Sequence, residues 1–162
     1  MNAGPASRAL PVFVALLVAL FVAVLGGSIT ELGPWYQELE TPAWKPPDWL
    51  FGPAWTIIFA LTALSAATAW RQAPNRSSRE WLIALFALNG FLNVLWSLLF
   101  FRLRRPDWAL FEVIFLWLSI LVLIVILAGY SRDASRLLYA YLVWVSFAAL
   151  LNWSVVQLNP SF

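Results

Sequence analysis

Residues 81–101 read WLIALFALNGFLNVLWSLLFF, an uncharged run of 21 residues between Glu80 and Arg102. A helix that crosses a hydrocarbon core of about 30 Å needs about 20 apolar residues, because each residue rises about 1.5 Å. Backbone polar groups inside a bilayer must be satisfied within the segment, which a helix achieves. The run therefore predicts a transmembrane helix.

Runs of the same kind lie on both sides of this one, at residues 9–30, 49–70, 108–131 (interrupted only by Glu112) and 137–162. We therefore predict an all-α integral membrane protein, a single membrane domain over residues 1–162 that forms a bundle of five transmembrane helices. The predicted helices cover approximately residues 9–27, 53–70, 80–101, 107–130 and 136–158.

Composition agrees with this class and excludes several chemistries. Apolar residues make up 62% of the 162 residues and charged residues 11%, with a mean hydropathy of +0.80, whereas soluble domains are about 45–50% apolar and about 25% charged. Because the chain has no Cys and no His, we predict no metal site, disulfide, thiolate nucleophile or imidazole base. Its ten basic residues are scattered, which argues against nucleic-acid binding.

The first run also resembles the start of a secretory signal peptide, with one basic residue before an apolar stretch. We favour a membrane helix, because the stretch from Leu10 to Leu25 is longer than the usual apolar region of such peptides. Small residues recur at every fourth position and would let another helix approach closely: Ala15, Ala19, Ala23 and Gly27. That helix could belong to this chain or to a second copy.

The long connection between helices 1 and 2, residues 28–52, is rich in Trp and Pro. It reads SITELGPWYQELETPAWKPPDWLFG and holds four of the eight acidic residues. Its prolines prevent a continuous helix, and long loops that carry so many aromatic residues tend to be functional. We predict a lid over a binding site, formed mainly by Trp35, Pro42, Trp44, Pro46, Pro47 and Trp49.

The pattern WYxxLxxPxWxPPxWxFGPxW over residues 35–55 resembles the signature of the tryptophan-rich sensory protein family, also called translocator proteins or peripheral-type benzodiazepine receptors. Later helices carry further matches: LxxxxNxxWSxxFF at residues 88–101, ALxE at 109–112 and YLxWxxFAxxLN at 141–152. The resemblance covers roughly residues 26–159.

The resemblance implies five helices around a pocket capped by the first loop, often in a homodimer. It also implies a receptor or sensor that binds porphyrin-type tetrapyrroles, including haem, and in some members sterols and benzodiazepine-type ligands. The resemblance further implies a role in tetrapyrrole regulation or transport and no obligatory cofactor. For bacterial members it implies a location in the cell membrane. The ligand residues that it implies are Tyr36, Trp55, Asn93, Trp96, Trp144 and Ala148.

Helical spacing alone leaves the roles of these residues open. Asn89, Asn93 and Ser97 share one helix face, where the amides can bond between helices or contact a ligand. Trp144 on its aromatic stripe can equally be a packing residue. Glu112, inside helix 4, is either functional or a residue near the interface that extends its carboxylate toward the headgroups or pairs with Arg102, Arg104 or Arg105.

The sequence departs from the family pattern at three positions. Thr41 stands where many members have a basic residue, Arg102 where a Gly is common, and Ala140 where a Pro is frequent. We expect the first difference to affect ligand choice and the second to affect the end of helix 3.

Three classes of function remain open at this point: a sensor, an enzyme that degrades its porphyrin in light, and a small-molecule transporter. In the enzyme, Trp55 and Trp144 would serve as photochemically active rings, since the chain offers no pair of nucleophile and base. Without His or Cys to ligate iron, we expect a tetrapyrrole to be held by stacking and hydrogen bonds.

Overall fold

The charge-free runs form long helices. The computed structural model describes residues 5–160, with side chains from residue 10 onward, and its helices are α1 Pro5–Ile29, α2 Pro34–Glu38, α3 Phe51–Gln72, α4 Arg76–Ser97, α5 Pro106–Ala128, α6 Arg132–Leu137 and α7 Tyr139–Leu158. A 3₁₀ turn covers Asp48–Leu50 and a π-helical turn covers Leu98–Arg102. Within residues 5–160, five helical spans are long and apolar enough to cross a membrane. The predicted all-α, five-span fold is confirmed.

Local chemistry sets where these helices begin. The side chain of Asn75 accepts a hydrogen bond of 2.8 Å from the backbone N–H of Ser78 and so caps α4, which satisfies one of the free donors of its first turn. Proline is tolerated in the first turn of a helix because it has no N–H to leave unpaired. Accordingly, Pro106 opens α5 and Pro53 lies in the first turn of α3.

Helix α5 forms the centre of the bundle and packs against α4, α6 and α7. Four of its buried residues follow helical spacing along one face: Leu116, Ile120, Leu123 and Leu127. Helix α1 lies at the periphery and packs against α3 and α4. Most large apolar side chains of α1 are exposed, as expected where the surrounding solvent is lipid rather than water.

Most of the small-residue stripe of α1 packs inside this chain. Ala15, Ala19 and Ala23 are half-buried, on a helix whose contacts go to α3 and α4. The approach to α4 is close at Gly90, where an added Cβ would lie 3.2 Å from the Cγ2 of Val22. Ala15, Ala19 and Ala23 are therefore partly covered by helices of the same chain, whereas Gly27, the fourth residue of the stripe, is exposed and an added Cβ there would meet nothing within 4 Å.

The last span differs from the single helix that we predicted at residues 136–158. It begins earlier, at Arg132, and changes from α6 to α7 at Leu138. The charges of Arg132 and Arg136 limited the uncharged run but not the helix, because α6 lies at the end of the span. Two buried serines hold α6 in place: Ser135 Oγ donates to the carbonyl of Ile124 at 2.8 Å, and Ser65 Oγ donates to that of Ala134 at 2.7 Å.

The connection between helices 1 and 2 is shorter and more ordered than one long loop over residues 28–52. Helix α1 continues to Ile29 and α3 begins at Phe51, so the connection covers residues 30–50, which we call the α1–α3 segment. It contains α2 and the 3₁₀ turn. Prolines at the starts of helices account for this difference, since the same residue type that interrupts a helix also initiates one.

Candidate functional site

A cavity of about 530 Å³ lies between the α1–α3 segment and the ends of α1, α3, α4 and α7. All six residues that the resemblance implied as ligand contacts line it: Tyr36, Trp55, Asn93, Trp96, Trp144 and Ala148. Of the six residues assigned to the lid, Trp49 lines the cavity. The structure thus brings together the six residues implied as ligand contacts. That they contact a ligand stays a prediction.

One wall of the cavity is built from aromatic rings of α3 and α7. The rings of Trp55 and Phe59 stack with centroids 5.4 Å apart, and Trp144 meets Trp55 edge-on at 6.2 Å. Phe51 contacts Trp144 edge-on at 5.8 Å. Such offset and edge-to-face pairs are favourable ring geometries, so the wall is preorganised.

A second aromatic cluster of the lining comes from the end of α4 and the π-helical turn that follows it. Trp96 stacks on Phe100 with centroids 5.2 Å apart, and Phe101 lies 4.8 Å from Phe100. A π turn inserts one extra residue per turn and changes which side chains share a face. Here it lets the consecutive residues Phe100 and Phe101 both line the cavity.

Arg102 ends the π turn and ties it to the α1–α3 segment. Its Nη1 donates to Glu31 Oε1 at 2.5 Å. The departure from glycine at this position therefore adds an ion pair beside the cavity. Neighbouring Arg104 has a positive φ of 54° and places its guanidinium 5.8 Å from the ring centre of Trp35.

Two asparagines of α4 connect helices, and one of them lines the cavity. Asn93 Nδ2 donates to the hydroxyl of Tyr141 at 3.1 Å, and Asn89 Nδ2 donates to Ser119 Oγ at 2.8 Å. Asn89 and Asn93 thus both form hydrogen bonds between helices, which was one of the two roles that the sequence left open. Asn93 also lines the cavity, so its bond between helices and a contact with a ligand do not exclude each other.

Several residues of the α1–α3 segment pack outside the cavity. Trp35 lies edge-on to Phe100 at 6.3 Å, and Trp44 lies edge-on to Phe147 at 5.8 Å. The carbonyls of Pro42 and Pro47 accept turn hydrogen bonds from Lys45 N and Leu50 N. Pro46 is half-buried. The ring contacts of Trp35 and Trp44 join the segment to the bundle, while the hydrogen bonds of Pro42 and Pro47 form turns within it.

Three polar residues meet where the segment borders the cavity. Tyr36 Oη donates to Asp48 Oδ1 at 2.8 Å, and Lys45 Nζ donates to the same oxygen at 2.5 Å. Burial, reinforced by the hydrogen bond to Asp48, raises the pKa of Tyr36 above its usual value. Sequence reasoning missed Lys45 and Asp48, although their spacing of three residues in a proline-rich turn was a usable signal.

Glu112 is 5% exposed, and both its carboxyl oxygens are buried without a hydrogen-bond partner among the residues that the structure describes. Arg102 bonds to Glu31, and Arg105 bonds to Asp107 at 2.8 Å. The alternative in which Glu112 pairs with an arginine of the short connection is therefore wrong. A buried helix face carries Glu112 inward, away from those side chains.

Asn159, just after α7, holds the α1–α3 segment by its amide. Its Oδ1 accepts from the backbone N–H of Glu40 at 3.0 Å, and its Nδ2 donates to the carbonyl of Glu40 at 2.9 Å. Both polar groups of one backbone position are thus satisfied by one side chain. Asn159 therefore fastens the segment to the end of α7.

Replacing Asn159 by alanine is expected to loosen this attachment. Amide hydrogen exchange at Glu40 should accelerate about 2- to 10-fold, since one hydrogen bond contributes about 0.5–1.5 kcal/mol. Exchange measured by mass spectrometry on peptides covering residues 39–47 would show the change. Gln157→Ala, at an exposed position of α7, is the control, and equal exchange in both variants would contradict a fastening role for Asn159.

These features define a multi-pass helical membrane protein with an internal aromatic cavity. The profile of the TspO/MBR family matches residues 13–158, and the chain belongs to this family, which confirms the resemblance.

Relatives extend over most of the chain. A tryptophan-rich protein TspO of Chlorobaculum tepidum is 38% identical over 150 residues, 90% of this chain and 95% of its own length. The protein CrtK of Rhodobacter capsulatus is 33% identical, with 93% of this chain and 94% of the relative covered. The translocator protein of Sus scrofa is 33% identical over 77% of this chain and 75% of its own length.

Proposed function

We propose that this protein is a membrane receptor and sensor that binds a porphyrin-type tetrapyrrole in the cavity beneath the α1–α3 segment. The observation that carries the proposal is that two clusters of aromatic rings line a single cavity of about 530 Å³. Pockets for small molecules are typically about 300–1,000 Å³ and mostly apolar, with a few placed polar groups. A role in sensing is supported by a relative, 31% identical, named tryptophan-rich sensory protein.

Flat, conjugated ligands suit this cavity. Trp55 and Trp96 both line it, and stacking on such rings adds to the burial of apolar area. The indole N–H of Trp144 is buried without a hydrogen-bond partner among the described residues. A ligand acceptor would satisfy this donor, since buried polar groups in proteins are normally paired.

Haem would be held as a porphyrin rather than through its iron. The chain has no His or Cys. Tyr36, which lines the cavity, donates to Asp48, and buried Tyr141, outside the cavity lining, accepts from Asn93. We therefore expect metal-free porphyrin to bind at least as well as haem.

The proposed setting is the bacterial cell membrane. It is supported by the relatives from Chlorobaculum tepidum and Rhodobacter capsulatus, which are 38% and 33% identical over most of the chain. A homodimer is part of the same proposal and rests on the family resemblance alone.

Titration with protoporphyrin IX tests the proposal. In the dark and in detergent, tryptophan fluorescence of the purified protein should be quenched saturably. Trp144→Phe should weaken binding about 2- to 10-fold, because an aromatic contact contributes about 0.5–1.5 kcal/mol. Trp153→Phe, an exposed position on the same helix, should bind as the wild type does.

Quenching that never saturates and is equal in both variants would indicate partitioning into detergent and would contradict the proposal. Illumination of the complex separates the enzyme alternative: loss of the porphyrin absorption band in the wild type, but not in Trp144→Phe, would indicate degradation. Accumulation of the porphyrin in sealed vesicles would indicate transport.

A further inference from the structure

The charged groups of the cavity lie together at its border with the α1–α3 segment. Among the described residues that line the cavity, Lys45 is the only basic residue and Asp48 the only acidic one. The remaining lining residues are apolar, aromatic or neutral polar. A charged group of a ligand that contacts a charged side chain of the cavity lining therefore does so at this pair.

Lys45 and Tyr36 are arranged as a two-donor site for a carboxylate. Both donate to one atom, Asp48 Oδ1, over 2.5 Å and 2.8 Å respectively. The ammonium of Lys45 also lies 5.3 Å from the centre of the Tyr36 ring, which fixes the two donors relative to each other. Convergence of an ammonium and a hydroxyl on one oxygen is the geometry of charge-assisted carboxylate binding.

The backbone around Lys45 is constrained. Its N–H donates to the carbonyl of Pro42 at 2.9 Å, and Pro46 and Pro47 follow it directly. Proline restricts its own φ and the conformation of the preceding residue. The ammonium is therefore presented by a stiff turn rather than by a freely moving loop.

The two members of the ion pair differ in exposure. The Lys45 side chain is 16% exposed, whereas that of Asp48 is 44% exposed. An ion pair with a partner this accessible contributes little to stability. Asp48 can thus turn to solvent at low cost while Lys45 and Tyr36 stay at the cavity.

We propose that Tyr36 and Lys45 form a carboxylate subsite of the cavity, and that Asp48 occupies this subsite as an internal mimic of a ligand carboxylate. This proposal rests on the proposed function and specifies the class of ligand: a flat aromatic molecule that carries a carboxylate at its edge. The rings lie against the aromatic clusters of the lining, and the carboxylate displaces Asp48 at the border of the cavity.

Protoporphyrin IX and its dimethyl ester form a matched pair of probes, because the ester keeps the rings and loses both carboxylates. Each is titrated in the dark against the wild type, Lys45→Gln and Asp48→Asn. Lys45→Gln should weaken binding of the acid about tenfold, the effect of losing one hydrogen bond to a charged group, and should change binding of the ester less than twofold. Asp48→Asn should strengthen binding of the acid and leave that of the ester unchanged.

Two further variants serve as controls for charge and for position. Lys45→Arg retains the positive charge and should preserve the preference for the acid, even if Lys45→Gln folds poorly. Arg79→Gln, whose guanidinium lies over Trp70 and outside the cavity lining, should bind both probes as the wild type does.

The outcomes separate the two proposals. If the wild type binds both probes saturably and Lys45→Gln affects them equally or not at all, the carboxylate subsite is wrong while the cavity assignment stands. If Asp48→Asn bound the acid more weakly than the wild type does, the proposal that Asp48 mimics a ligand carboxylate would likewise be wrong. If neither probe binds the wild type saturably, both proposals fail.

Discussion

Ala148→Trp is expected to weaken protoporphyrin IX binding about 10- to 100-fold, because overfilling a formed site costs about 1–3 kcal/mol. Ala148 lies on α7 one turn after Trp144 and lines the cavity. Its methyl group leaves open the space beside the tryptophan wall. An indole at this position would occupy that space itself, so a ligand could enter only by displacing the ring.

Val143→Trp provides the matched control for this substitution. Val143 is on the same helix but 69% exposed on the outside of the bundle, where lipid accommodates a large ring. Fluorescence titration and thermal unfolding in detergent are measured for both variants. Equal affinities of the two variants, with both folded, would place the ligand elsewhere.

Asn152→Leu is expected to lower the free energy of unfolding by about 1–3 kcal/mol, the effect of losing two hydrogen bonds inside a membrane bundle. Asn152 is 1% exposed. With its amide nitrogen toward Pro106 and its oxygen toward Leu110, it donates to the carbonyl of Pro106 and accepts from the N–H of Leu110, both at 3.0 Å. It thereby joins α7 to the first turn of α5, while leucine matches its size but offers neither group.

Ser154→Ala is the control on the same helix, because Ser154 Oγ donates only to the carbonyl of Leu150 in its own helix. Its unfolding should differ from the wild type by less than about 0.5 kcal/mol, as for most substitutions away from buried networks. Unfolding by denaturant in detergent micelles compares the variants. If Asn152→Leu unfolded with the same free energy as the wild type, Asn152 would not stabilise the contact between α7 and α5.

The long helices could be predicted because the bilayer imposes a simple rule. Each span needs about 20 residues without unpaired charge, and the positions of the charges alone located all five. The same rule could not find the change from α6 to α7 at Leu138, which occurs beside hydrogen bonds to residues of other helices. Nor could it find α2, whose five residues are too few to show a periodic pattern.

The candidate site was predictable in part. The motif pointed to six residues that the structure places around one cavity. Lys45, Asp48 and Phe59 escaped prediction, because a residue's neighbours across the cavity leave no trace in local spacing. Glu112 shows the opposite error: nearby arginines in the sequence suggested ion pairs, but the structure leaves both of its carboxyl oxygens without a hydrogen-bond partner among the described residues.

The sequence by itself determined the class of this protein, the number of its spans and the family to which it belongs. These properties depend on composition and on spacing along the chain, which folding does not change. Tertiary structure decided which polar groups meet. Asn159 bonds to Glu40 across 119 positions of sequence, and Tyr36 and Lys45 both donate to Asp48 Oδ1. Such contacts depend on how helices and turns pack in space, and that packing is fixed only when the whole bundle has formed.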